Sequence, residues 1–130
     1  GQCGIAVANT YYLAGMLSGG DPKERAIAER IAVFWPNQDS RGTHVNISGA
    51  ALVEASKNRK NAIRLIEFLT SDSAQEWYAE VNGEYPIRKG IKVSETLMEW
   101  GDFKADDLNL SRLGELNPEA VMLMDRAGWR

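Results

Sequence analysis

Gly4-Ile5-Ala6-Val7-Ala8-Asn9-Thr10-Tyr11-Tyr12-Leu13-Ala14-Gly15-Met16-Leu17 is the stretch on which the reading of this chain turns. Its first five residues are a short apolar run of the buried-strand type. Asn9 and Thr10 are both good helix N-cap residues, and Leu13, Met16 and Leu17 continue with helical apolar spacing. The stretch therefore predicts a strand that turns into a helix at Asn9–Thr10. Two tyrosines, Tyr11 and Tyr12, stand side by side in the first turn of that helix. In a continuing strand they would point to opposite faces. On a helix they diverge by about 100°, close to the angle between adjacent positions of an octahedral ion.

Outward from this junction, the chain reads as strands alternating with helices. Ser18-Gly19-Gly20 breaks the first helix. Asp21-Pro22-Lys23-Glu24 supplies an N-cap, a proline at the first helical position and a glutamate two residues on, opening a helix through about Arg30. Ile31–Trp35 predicts a strand stopped by Pro36-Asn37, and Thr43–Ser48 alternates polar and apolar residues in strand fashion. Gly49 punctuates it, and Ala50–Val53 reads as a second short strand. Ala62, Ile63, Ile66 and Leu69 share one helical face. Ser73 with Glu76 suggests a capping box for a further helix with Ala74, Trp77, Tyr78 and Val81 as its apolar stripe. Asn82-Gly83 ends that helix, and Glu84–Ile87 is extended before and through Pro86. Ser94–Trp100 predicts a short helix. Asn117-Pro118-Glu119 is expected to start a last helix that stops at Gly128. The alternation argues for an α/β fold, a mixed sheet flanked by helices.

With 130 residues, 44% hydrophobic and 25% charged, the chain has an ordinary globular composition and one domain's worth of core. A net charge of −3 gives no basic footprint for nucleic acid. No apolar run approaches the ~18 residues of a membrane-spanning helix. The sequence opens at Gly1 without a methionine and enters a strand almost at once, which is expected of the middle of a longer protein. Cys3 is the single cysteine, so no internal disulfide forms.

The tyrosine pair carries the chemistry. A phenol has an ordinary pKa near ~10, but a bound metal ion strips protons from its ligands. Phenolate oxygen suits a hard cation such as ferric iron. A helix N-terminus favours an anion, which would sit beside the metal with the Asn9 amide as a further donor. On residue chemistry alone, two half-buried aromatics with wet hydroxyls are the simpler reading. Other candidates are weaker. His44 is the sole histidine and reads as a hydrogen-bonded strand residue. Tyr78 and Tyr85 read as packing residues, and Cys3 as a buried inert thiol. Asp102, Asp106 and Asp107 lack the glycine and spacing of a calcium loop. An enzyme using Tyr11 or Tyr12 as acid or base would need nearby cations, and no Lys or Arg precedes Lys23.

Asn9-Thr10-Tyr11-Tyr12, Pro36-Asn37, Gly42-Thr43-His44-Val45-Asn46-Ile47-Ser48-Gly49, Ala62–Leu69 with Ser71–Gln75, Glu84-Tyr85-Pro86 and Leu113-Gly114-Glu115-Leu116 through Ala127-Gly128-Trp129 resemble, in order, the periplasmic ferric-iron-binding proteins of ABC importers. Nearly the whole chain takes part, which reverses the reading of the tyrosines. The family has the type 2 periplasmic binding-protein fold, with two α/β lobes hinged around a cleft. The resemblance implies that residues 1–130 are its C-terminal portion, a three-layer-like part of a lobe, with a hinge-crossing strand near 43–49 in which His44 is structural. It implies Tyr11 and Tyr12 as Fe(III) ligands and Asn9 as a holder of the synergistic anion, carbonate or phosphate. It also implies an inner-membrane ABC permease as partner, a periplasmic location and no catalysed reaction. The remaining ligands would come from an N-terminal lobe outside this sequence. Without that lobe, apolar surface near Thr43–Ser48 is expected to invite self-association. The same fold carrying an organic solute such as a sugar, a polyamine or a thiamine-like molecule is the alternative, with the aromatic pair stacking on ligand.

Overall fold

A computed structural model describes residues 3–129; Gly1, with which the sequence opens, lies outside the described residues. Among the described residues there are six α-helices: α1 Thr10–Ser18, α2 Pro22–Ala28, α3 Arg59–Leu69, α4 Asp72–Trp77, α5 Glu95–Glu99 and α6 Ser111–Arg126. A π-helical turn, Tyr78–Asn82, continues directly from α4.

The local signals account for most helix starts. Asp21 caps α2 by accepting a hydrogen bond from the Lys23 backbone N–H at 2.8 Å, with Pro22 first in the helix. Ser94 caps α5 through the Leu97 N–H. At α4 the cap is Ser71, which accepts from the Ala74 N–H, so the box expected at Ser73 and Glu76 lies two residues too late. α6 begins at Ser111, six residues before the expected start at Asn117, and carries Pro118 in its interior. A proline inside a helix forfeits one hydrogen bond and its ring crowds the carbonyl four residues back, here that of Gly114; no residue of α6 is buried.

The mixed sheet is not formed among the described residues. Their one β-contact is an isolated parallel bridge between Thr43 and Ala105, closed by Thr43 N–H to Lys104 O and Asp106 N–H to Thr43 O, both 2.8 Å. The segments expected as strands, Ile5–Val7, Ile31–Trp35, Val45–Ile47 and Ala50–Val53, carry no ladder. Ile5, Val7 and Phe34 are 88, 87 and 84% exposed. A strand is stable only when paired, and the alternation that predicts one says nothing about where its partner lies in sequence.

The chain divides into two compact units. The first comprises Gly1–Phe34 and Asn46–Asp102. In it α1 packs on α2 and on the π turn, and α3 on α4. Ala14, Ala28, Ala74, Ala79 and Leu97 are its buried apolar residues. The face of α4 and the π turn that is buried runs through Ala74, Gln75 and Ala79, whereas Trp77 and Val81, expected in the stripe, are exposed. Ala74 of that stripe is buried and Tyr78 half-buried; beyond Trp77 the wider π turn rotates the phase of the helix and carries Val81 off the buried face. Gln75 is buried and fully used: its amide donates to Leu69 O at 2.8 Å and its carbonyl accepts from the Ile87 N–H at 2.9 Å.

The second unit comprises Trp35–Val45 and Phe103–Arg130. Trp35 and Phe103 stack with ring centroids 4.2 Å apart. The Gln38 side chain donates to Pro36 O, Thr43 Oγ1 and Lys104 O and accepts from the Lys104 N–H at 2.7 Å. Gly42, at φ +96°, lets the backbone come so near that a Cβ there would lie 2.7 Å from Ala105 O. His44 is exposed, not held in a ladder as its strand reading required.

Candidate iron site at the start of helix α1

The strand-to-helix stretch folds as an extended segment running into α1, with Asn9 at the N-cap position (φ −73°, ψ 140°). Tyr11 and Tyr12 are the second and third residues of the helix. The bare backbone directions would send them apart. In the first turn, however, no preceding turn blocks a long side chain from leaning toward the N-terminus. The rings meet, with centroids 4.4 Å apart and planes at 46°. Tyr11 is half-buried, and Tyr12 is 60% exposed.

Asn9 makes no side-chain cap bond to the helix. Its amide Nδ2 instead donates to the Tyr11 hydroxyl at 3.2 Å. The Asn9 carbonyl accepts from the Tyr12 N–H at 3.3 Å, while the Asn9 side chain caps none of the first-turn N–H groups of α1. The three residues singled out in the sequence are brought together in the structure as one polar cluster. Its electrostatics are those of an unmetallated pair. Tyr11, by hydrogen bond first and charge second, and then modest burial push the Tyr12 phenol above its ordinary pKa. Two phenols sharing one hydrogen bond resist ionising together unless a cation takes the place of their protons.

No other donor set competes. Among the described residues there is no group of three or more His, Cys, Asp or Glu able to hold a metal. Cys3 is an exposed thiol, contrary to its reading as buried. Tyr85 is a packing residue as expected, its phenol raised by burial and by the charge of Asp102. What the sequence did not expose is how α1 is seated. Ala14, one turn after Tyr11, rests against Gly83 at the end of the π turn. Only the Asn82-Gly83 stop signal hinted at that position.

Comparison with known proteins defines the class. No family model matches the chain. Iron uptake protein A1 of Synechocystis is 42% identical over 130 residues, all of this chain and 36% of that protein. Among solved structures, the Trichodesmium IdiA (FutA) protein, in complex with iron and citrate, superposes with a TM-score of 0.88 at 44% identity. That match covers 95% of this chain and 39% of the other. The ferric binding protein of Campylobacter jejuni gives a TM-score of 0.88 at 38% identity over 95% of this chain and 39% of its own. The fold is therefore part of that of the ferric-binding proteins, a class of solute-binding proteins. The chain's homologues are the iron-uptake and ferric-iron-binding proteins, and it spans little more than a third of their length.

Proposed function

We propose that these residues are the C-terminal portion of a two-lobe Fe(III)-binding protein that serves an ABC iron-uptake system in the periplasm and hands its ion to an inner-membrane permease. Tyr11 and Tyr12 are the phenolate ligands. Asn9 and the start of α1 hold a synergistic anion, carbonate or phosphate. The rest of the octahedron comes from elsewhere in the longer protein, and no reaction is catalysed. The extended segments near Ile5–Val7, Ile31–Trp35 and Val45–Ile47 are strands of a mixed sheet completed by that remainder. Residues 43–49 cross the hinge; the boundary between the two compact units, at Val45 and Asn46, supports this placement.

One observation carries the reading: the Tyr11 and Tyr12 rings lie 4.4 Å apart with the Asn9 amide on the Tyr11 hydroxyl, in a chain alike throughout to iron-uptake proteins. Ferric iron added as its citrate complex should give the full-length protein a visible phenolate-to-iron band. Tyr11→Phe and Tyr12→Phe each remove one oxygen and keep the ring. Each should cost about 10- to 100-fold in iron affinity, the range for losing one group of a metal site. The double variant should be colourless, with the iron-free melting temperature nearly unchanged. Normal iron binding by the double variant would exclude these tyrosines as ligands. An unchanged protein that takes up a sugar, polyamine or thiamine-like solute, with no iron colour, would assign the fold to that cargo instead.

A further inference from the structure

The helix that carries the tyrosines packs on α2 and on the π turn, and its contact with the π turn is made almost without side chains. α1 has one buried residue, Ala14, and packs against the π turn, whose one buried residue is Ala79. Gly83 caps that turn in the left-handed region, at φ +65°, with its N–H on the Tyr78 carbonyl. It is itself buried. A Cβ built on Gly83 would fall on the Ala14 Cβ, far inside van der Waals contact, and would reach 3.8 Å from the Ala14 Cα and 4.0 Å from the Tyr11 Cα. At this point the backbone after the π turn lies directly against the Ala14 side chain of α1. Nothing larger than hydrogen fits at residue 83 unless α1 moves. The π turn is what brings residue 83 there, because a turn one residue wider delivers the following residue to a different point around the axis.

We propose that Gly83 is the positioning residue of the iron site: the height of α1 above the π turn, and with it the placement of the Tyr11 and Tyr12 oxygens, is set by the absence of a side chain at this residue. The proposal rests on the tyrosine pair being the iron ligands. A metal site tolerates errors of only a few tenths of an ångström in its donors. A displaced α1 therefore carries both phenols off target together, although neither Gly83 nor Ala14 touches the ion.

The test uses the full-length protein with ferric citrate as probe, reading affinity, the phenolate-to-iron band and the melting temperature of the iron-free form. Gly83→Ala should weaken binding about 10- to 100-fold, as loss of an orienting group does, and shift the band. Ala14→Gly added to it removes the atom that is struck. That double variant should recover affinity to within about threefold and return the band, an effect the near-additivity of unconnected sites would not give. Its melting temperature should stay below that of the unchanged protein, because an alanine at positive φ remains strained. Recovered binding without recovered stability separates positioning from bulk folding. Should Gly83→Ala not accumulate as folded protein, Ala14→Val crowds the same contact from the helix side and should weaken binding and shift the band away from that of the unchanged protein. Unchanged affinity and band in Gly83→Ala, a loss that Ala14→Gly does not restore, or an unshifted band in Ala14→Val would each overturn the proposal while leaving the tyrosine ligands standing. An unchanged protein that gives no iron band would instead remove the ligand assignment, and the positioning role with it.

Discussion

The Asn9 side chain is committed to Tyr11: its amide nitrogen lies 3.2 Å from the phenol oxygen, and the helix that Asn9 begins goes without a side-chain cap. An asparagine at this position ordinarily stabilises its helix by about 1 kcal/mol through such a cap. Here that bond is exchanged for one that orients a phenol. Asn9→Ala should therefore cost the iron-free protein little, about 1 kcal/mol for one part-buried hydrogen bond. It should weaken iron binding about tenfold or more, in the range of orienting groups around metals. Asn9→Asp, which replaces a donor by an anion, should weaken retention of carbonate or phosphate more than Asn9→Ala does. Isothermal titration with ferric citrate, with and without added bicarbonate, checks both.

Iron uptake by the pair should release protons. The Tyr12 phenol is held above its ordinary pKa by Tyr11, so at neutral pH the cation displaces protons that the empty site retains more firmly than a free phenol would. Apparent affinity should climb as pH rises, by up to about tenfold per pH unit for each proton released. Titrations in two buffers of different ionisation enthalpy, corrected for citrate protonation, count those protons. Uptake independent of pH between about 6 and 8 would mean that neutral phenols, not phenolates, meet the ion.

Tyr85 makes a separate prediction at alkaline pH. Burial first, and the Asp102 charge second, raise its phenol above its ordinary pKa. The folded state thus prefers the neutral phenol, and its stabilising contribution is complete below about pH 10, where the unfolded chain also keeps the proton. It is lost as pH rises through the folded value. Thermal melts between about pH 8 and 11 should fall at the upper end. Tyr85→Phe should flatten that fall, and an unaltered alkaline decline would place its origin elsewhere.

The 130 residues taken by themselves should associate and should bind iron weakly. Ile5, Val7 and Phe34 stand almost fully exposed on segments with free backbone edges, and Ile47 is 55% exposed within the proposed crossing strand. Unpaired apolar edges recruit one another. Two phenolates and an anion also leave a ferric ion short of donors. Light scattering should show oligomers whose size grows with concentration, and a ferric citrate titration should fail to reach stoichiometric colour. A strict monomer that binds iron tightly would contradict the account of the missing strands and ligands.

The helices were legible where the chain punctuates itself. Asp21-Pro22 and Ser94 name their own helix starts, because a cap is a contact within four residues. The clustering of Asn9, Tyr11 and Tyr12 was legible for the same reason, since all three polar groups lie within one turn. The sheet was not, because Ile5-Ala6-Val7 describes a strand and leaves its partner unstated. Ala74 was read correctly as buried, whereas Val81 was misplaced because the π turn that begins at Tyr78 leaves no mark in the spacing. The early start of α6 was missed because Pro118, usually a first-turn residue, here sits mid-helix. Gly83 looked like a stop signal, and only three-dimensional proximity to Ala14 gives it a second meaning.

Gln38 joins positions far apart in the chain: its amide binds Pro36, Thr43 and Lys104, the last 66 residues away. The unit it fastens is assembled from Trp35–Val45 and Phe103–Arg130, with all of Asn46–Asp102 synthesised in between. On a ribosome, the first of these segments emerges long before its counterpart exists. Residues Asn46–Asp102 have contacts of their own to make with the preceding segment and can settle first. The second unit must then close last, as a clasp snapped shut by the C-terminal residues, at the cost of one large loop. A chain ended at Asp102 would keep every residue of the first unit and leave Gln38 with no Lys104 to hold.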